Sequence, residues 1–154
     1  MLNQKNNQNL KGFSLFEIII TLGILMSLSL IVFPIASQKS QESKLKNYAS
    51  QIATDIYYQQ QRAKLKNIST GINLENNRYT IFDGETLNSA IEKDTKTLPV
   101  NIYLYDISLS SPNDILFSEG DFKPNSYGHF KLTDGFFNIQ VSINQEGLIE
   151  YESI

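Results

Sequence analysis

The chain has 154 residues, enough for one globular domain and one further segment, and 41% of them are hydrophobic. It contains no cysteine, which excludes a disulfide framework and a thiolate metal site. Its 16 acidic residues outnumber 13 basic ones, and a net charge of −3 does not favour non-specific binding to nucleic acid.

Residues 1–12, MLNQKNNQNLKG, form a polar leader with two lysines and no acidic residue. By the positive-inside rule this end stays in the cytoplasm, so we expect everything after the following apolar run to be extracytoplasmic. A secretory signal peptide is the competing interpretation. It fits poorly, because the apolar run is too long, contains an acid and has no clear cleavage site for that peptidase.

The apolar run covers residues 13–36 and carries a single charge, Glu17. As a helix, about 24 residues extend roughly 36 Å, which is enough to cross a bilayer with some tilt. A carboxylate costs about 2.5–3.5 kcal/mol in the middle of a membrane and less near its edge. Glu17 is therefore either tolerated near a helix end or paired with a cation that another molecule supplies.

The helix is expected to continue to residue 67, with a kink at Pro34, which lacks the backbone N–H of a helical residue. Residues 37–67 have an amphipathic pattern. One face of the predicted helix carries an apolar stripe, and Gln and Lys occupy the other faces. This stripe is predicted to pack against the protein's own sheet, and a free partner-binding helix is the alternative. Its members are Leu45, Ala49, Ile52, Ile56 and Ala63.

Residues 68–154 show the period of two that is typical of strands. Polar residues 84–98 are predicted to form a loop with at most a short helical turn near Ala90. The predicted fold class is α+β, with a long N-terminal helix, membrane-spanning in its first half, packed on a C-terminal antiparallel β domain. Strands are predicted over residues 70–74, 78–82, 100–105, 115–117, 129–132, 136–143 and 148–151.

The stretch GFSLFE, followed by an apolar helix, resembles the N-terminal signal of type IV pilins and type II secretion pseudopilins. The resemblance implies that a prepilin peptidase cuts between Gly12 and Phe13 and that Phe13 becomes the N-methylated residue. Glu17 is then fifth in the mature chain, the position at which the family carries its assembly glutamate. Pro34 is twenty-second, where pilins often carry a helix-bending proline.

The order of a helix, an early hairpin and a β-rich end is similar to minor pseudopilins of the GspH/FimT type. The final pattern, FFNIQVSI followed by EGLI, looks like the last hairpin of that subfamily. The resemblance implies a structural protein of the cytoplasmic (inner) membrane, spanning it once, which joins or primes a type IV pilus or a type II secretion pseudopilus. Its expected partners are other pilins, the prepilin peptidase and the membrane.

No catalytic or cofactor constellation is visible, so we expect neither an enzyme nor a small-molecule substrate, cofactor or metal. The lone His129 is expected at the surface. An incidental calcium site among the acidic residues of the predicted loops is an alternative to the absence of a metal. A minor pilin that binds DNA for uptake is the alternative function, but the acids at positions 146, 150 and 152 do not suit a phosphate binder.

Overall fold

The computed structural model describes the backbone of residues 12–111 and 113–154, and their side chains except those of residues 30–35. Within these ranges there are one α-helix and eight β-strands. The chain divides into two compact units, Met1–Ser40 and Gln41–Ile154. The elements are α1 (Leu15–Lys66), β1 (Thr70–Glu75), β2 (Arg78–Asp83), β3 (Glu92–Thr97), β4 (Tyr103–Leu109), β5 (Asp114–Phe117), β6 (Gly128–Thr133), β7 (Asn138–Ile143) and β8 (Ile149–Ser153).

Helix α1 confirms the long helix predicted from the apolar and amphipathic runs, to within two residues at each end. It ends at Lys66 because Asn67 adopts the left-handed conformation, with φ of 53°. The kink at Pro34 stays a prediction. Of the predicted leader, only Gly12 lies in the described part of the chain.

The amphipathic half of α1 packs on the β strands of the same globular unit, as predicted. All five stripe residues, Leu45, Ala49, Ile52, Ile56 and Ala63, are fully buried. They share one hydrophobic core with apolar residues of both sheets, including Ile72, Phe130 and Val141. The coarse α+β prediction is therefore confirmed.

The strands form two separate antiparallel sheets of four. The first sheet has the order β3-β2-β1-β5 and the second has the order β4-β6-β7-β8. In the first sheet, β1 and β2 make the hairpin that the sequence predicted, with Glu75 opposite Arg78. In the second sheet, β6, β7 and β8 follow one another as a meander.

The loop predicted over residues 84–98 is confirmed for residues 84–91 and wrong for Glu92–Thr97, which forms strand β3 at the edge of the first sheet. Its sequence, EKDTKT, has no apolar residue and so gives no signal of a strand with one face in the core. Tertiary pairing with β2 forms this strand, from Arg78 opposite Thr97 to Asp83 opposite Glu92. The charged residues on an exposed edge also discourage unwanted strand pairing.

A glycine in β1 makes room for an aromatic ring on the face of the first sheet away from the main core. Gly71 lies opposite Phe82 on β2 and Leu116 on β5. A Cβ atom at Gly71 would lie 2.5 Å from Cζ of Phe82 and 2.7 Å from Cδ2 of Leu116. Phe82 is only 1% exposed, so its ring has little freedom to move aside.

We therefore expect Gly71→Ala to lower the free energy of unfolding by about 1–3 kcal/mol, as in overpacked cores. Gly71 does not have positive φ, so an alanine meets no backbone strain there. Denaturant unfolding of Gly71→Ala and of Gly71→Ala with Phe82→Leu measures the effect. The smaller leucine side chain at position 82 should restore part of the lost free energy of unfolding. A stabilising Gly71→Ala would contradict this account, since glycine-to-alanine changes at uncrowded sites stabilise.

Candidate functional site

The predicted processing and assembly residues lie at the beginning of α1, where Ser14 caps the helix. Its Oγ accepts a hydrogen bond from Phe16 N at 3.3 Å, and its carbonyl oxygen accepts one from Ile18 N at 3.2 Å. Ser14 and Glu17 have the Ser-x-x-Glu spacing of a capping box, and an acid in the first turn suits the positive end of the helix dipole. The position of Glu17 in the first turn is therefore also favourable for the helix itself, which the prediction from sequence did not include.

Gly12 and Phe13 precede this cap and are exposed. Phe13 is 80% exposed, and a Cβ atom at Gly12 would meet no other atom within 4 Å. The Gly12–Phe13 peptide bond is therefore sterically accessible. Glu17 is also exposed, and no described side chain donates a hydrogen bond to its carboxylate.

The first turns of α1 expose apolar side chains all around the helix. Between positions 13 and 28, eleven large apolar side chains are at least 45% exposed. Such a continuous apolar surface is unusual for a chain that acts alone in water. The exposed residues are Phe13, Leu15, Phe16, Ile18, Ile19, Ile20, Leu22, Ile24, Leu25, Met26 and Leu28.

Hydroxyl groups in this apolar surface are satisfied within the helix. Thr21 Oγ1 donates to Ile18 O at 2.9 Å, and Ser27 Oγ donates to Gly23 O at 2.9 Å. Ser29 Oγ donates to Leu25 O at 2.8 Å. These bonds lower the cost of placing the hydroxyls in an apolar environment, which leaves Glu17 as the group with the largest desolvation cost. In the part of the chain that the structure describes, no helix has a stretch long and apolar enough to span a membrane.

Farther along the helix, polar contacts attach α1 to the charged edge of the first sheet. The Asp55 carboxylate accepts two hydrogen bonds from Lys96 Nζ, at 2.8 and 2.9 Å, and one from Tyr79 Oη at 2.7 Å. Burial raises the pKa of the Tyr79 phenol, and the hydrogen bond to Asp55 raises it further. Lys96 belongs to β3, so this contact ties the edge strand to the helix.

A second contact joins Arg62 of α1 to Asp83 at the end of β2. Arg62 Nη1 donates to Asp83 Oδ1 at 2.8 Å, and Nη2 donates to Oδ2 at 2.5 Å. The two side chains are only 17% and 14% exposed. Glu92 lies directly opposite Asp83 on β3, so Arg62 also offsets the repulsion between two acids.

The C-terminal end of α1 forms hydrogen bonds with loops of the β domain. Gln60 Nε2 donates to the carbonyl oxygens of Phe122 and Gly147, both at 2.9 Å. The carbonyl oxygen of Ala63, near the helix end, accepts a hydrogen bond from Gly120 N at 3.0 Å. These bonds attach the C-terminal end of the helix to the domain, whereas the apolar side chains at positions 13–28 are exposed.

The outer face of the second sheet carries the lone histidine. His129 Nε2 lies 3.9 Å from Asp106 Oδ2, which accepts a hydrogen bond from Lys131 Nζ at 2.7 Å. The Lys131 contact holds the pKa of Asp106 below its usual range. Asp106 lies at a bulge in β4 and has a φ of 48°. His129 is partly exposed, as predicted, and among the described residues no group of three or more His or acidic side chains is placed to bind a metal ion.

The acids of the final hairpin are exposed. Glu150 and Glu152 lie on one face of β8, and Glu146 forms a surface ion pair with Lys123 at 2.7 Å. Exposed carboxylates repel phosphate groups. The DNA-binding alternative stays a prediction.

A helix that packs on two antiparallel sheets and has exposed apolar side chains at positions 13–28 defines a pilin-like fold. The solved structure of the minor pseudopilin EpsH from the type 2 secretion system of Vibrio cholerae has a similar fold, with a TM-score of 0.53. The two chains are 14% identical, and the match covers 71% of this chain and 96% of EpsH. No protein-family model matches the chain, and no curated protein matches it.

Proposed function

We propose that this protein is a minor pilin or pseudopilin of the GspH/FimT type. It is inserted in the inner membrane by residues 13–36, trimmed by a prepilin peptidase after Gly12, methylated at Phe13, and packed into a pilus or pseudopilus. The observation that carries this proposal is the exposed apolar surface at positions 13–28 on a chain with a pseudopilin-like fold. This surface needs an apolar environment, first lipid and then the helices of neighbouring subunits.

The assembly mechanism is electrostatic. Cleavage after Gly12 creates a cationic amine at Phe13, and Glu17 of a neighbouring subunit pairs with it. In a medium of low dielectric constant the attraction between unit charges is strong, and an unpaired charge is costly. The pairing therefore fixes the register of adjacent helices, while the apolar side chains provide most of the contact area.

The position of the cut provides the direct test. Expressed with a prepilin peptidase, the chain should lose residues 1–12 and begin at an N-methylated phenylalanine. Mass spectrometry of the purified protein measures both changes. A peptidase-free strain is the matched control and should give the full-length chain. An intact leader in the peptidase-containing strain would contradict the proposed processing.

A further inference from the structure

Two apolar side chains at one end of the globular unit Gln41–Ile154 are almost completely exposed. Val100, in the loop between β3 and β4, is 107% exposed, and Phe136, in the turn between β6 and β7, is 81% exposed. The loop and the turn are neighbours, because Tyr103 at the start of β4 lies opposite Thr133 at the end of β6. The two side chains therefore share one end of the second sheet.

The helix residues at this same end are those that follow the apolar run. A groove of about 630 Å³ separates α1 from the two loops, and its lining includes Lys44, Pro99, Asn101 and Asp134. Lys44 thus faces the segments that carry the two apolar tips. Lys44 and Lys46 are exposed, and neither forms an ion pair with a described residue.

Hydrogen bonds donated by backbone N–H groups hold both tips in ordered turns. Asp134 Oδ1 accepts bonds from Phe136 N at 3.0 Å and from Phe137 N at 2.9 Å. Around Val100, Ile102 N donates to Pro99 O at 2.9 Å. The fold therefore presents two apolar side chains outward at fixed positions, instead of burying them.

We propose that Val100, Phe136 and Lys44 form a contact surface for the lipid bilayer, with the exposed Lys46 two residues farther along α1 adding positive charge. This inference rests on the proposed function, which places residues 13–36 in the membrane. Gln41 follows that run by five residues, about 8 Å along a helix. Apolar tips can enter the boundary between headgroups and acyl chains, and lysines beside them attract anionic lipids.

Lipid fits this surface better than a second protein does. A stable protein interface buries about 800 Å² on each partner with complementary packing. Two separate projecting tips on either side of a groove do not offer such a continuous area, whereas a fluid bilayer adapts to them. The contact would hold the globular domain at a defined orientation before the subunit enters a fibre.

The chain has no cysteine, so single-cysteine variants allow a direct test. Val100→Cys, Phe136→Cys and Leu148→Cys are each labelled with an environment-sensitive fluorophore in the full chain. The proteins are reconstituted in vesicles of phosphatidylcholine and phosphatidylglycerol, with or without lipids carrying a headgroup nitroxide. Leu148, 57% exposed, is the matched control in the turn at the other end of β7, beside Gln60 and about 24 Å along the helix from Lys44.

We expect the nitroxide lipids to reduce fluorescence at least about twofold at positions 100 and 136 and to leave position 148 unchanged. Lys44→Glu with Lys46→Glu should weaken the quenching in vesicles containing phosphatidylglycerol. Equal quenching at positions 100, 136 and 148, in a chain that resists alkaline extraction, would overturn the lipid contact. The proposed function would not be affected by that result. If alkali extracts the chain, the proposed insertion and this inference both fail. Fluorescence at positions 100 and 136 that depends on the protein-to-lipid ratio but is not quenched by the nitroxide lipids would assign the surface to a second copy and overturn the lipid contact.

Discussion

Replacing Glu17 by alanine should leave the chain in the membrane and abolish its incorporation into a fibre. Breaking a buried charge pair by removing one partner typically costs about 3–5 kcal/mol. At about 1.4 kcal/mol per tenfold, even the lower value reduces incorporation roughly hundredfold. Co-purification with sheared fibres measures incorporation, and alkaline extraction measures insertion. Glu42→Ala is the matched control, since Glu42 is also an exposed acid of α1.

A second comparison separates pairing between subunits from capping of the helix. In the proposed mechanism the cationic amine at Phe13 forms only on cleavage, so a variant of Gly12 that blocks the cut should show the same assembly defect. Combining it with Glu17→Ala should add nothing. If Glu17 acts only through the Ser14 cap, Glu17→Ala should instead lower the helix content and leave fibre incorporation intact. That result would contradict the assembly mechanism.

Replacing Arg62 by alanine should lower the free energy of unfolding of the domain by about 3 kcal/mol. The Asp83 carboxylate, 14% exposed beside Arg62, would lose its guanidinium partner while Glu92 stays opposite it on β3. Denaturant unfolding of the wild-type and Arg62→Ala proteins measures the difference. The double variant Arg62→Met with Asp83→Leu removes both charges and should recover most of the stability.

Arg78→Ala is the matched control for this prediction. Arg78 also pairs with a carboxylate, that of Glu75, but the two side chains are 50% and 39% exposed. Surface pairs of this kind contribute about 0–1 kcal/mol. Similar losses for Arg62→Ala and Arg78→Ala would show that burial does not strengthen the Arg62–Asp83 pair, and the account of how α1 is attached would be wrong.

The sequence alone predicted the elements whose signal is local. The stripe of α1 repeats with the helical period, so its five members could be assigned to the core before the fold was known. The β1–β2 hairpin and strands β6 to β8 alternate apolar and polar residues, and β5 is a short apolar run; all lie within a few residues of their predicted positions. The motif around Gly12, Phe13 and Glu17 is also local, and its processing and assembly roles remain predictions.

Tertiary structure decided the features that depend on distant partners. Strand β3 has no apolar residue, and it forms because β2 pairs with it and because Lys96 meets Asp55, 41 positions away. The Arg62–Asp83 pair joins residues 21 positions apart. The division of the strands into two sheets likewise has no local signal. Periodicity reports which face of an element is buried, whereas the partners of charged side chains and strand edges are set only when the chain has folded.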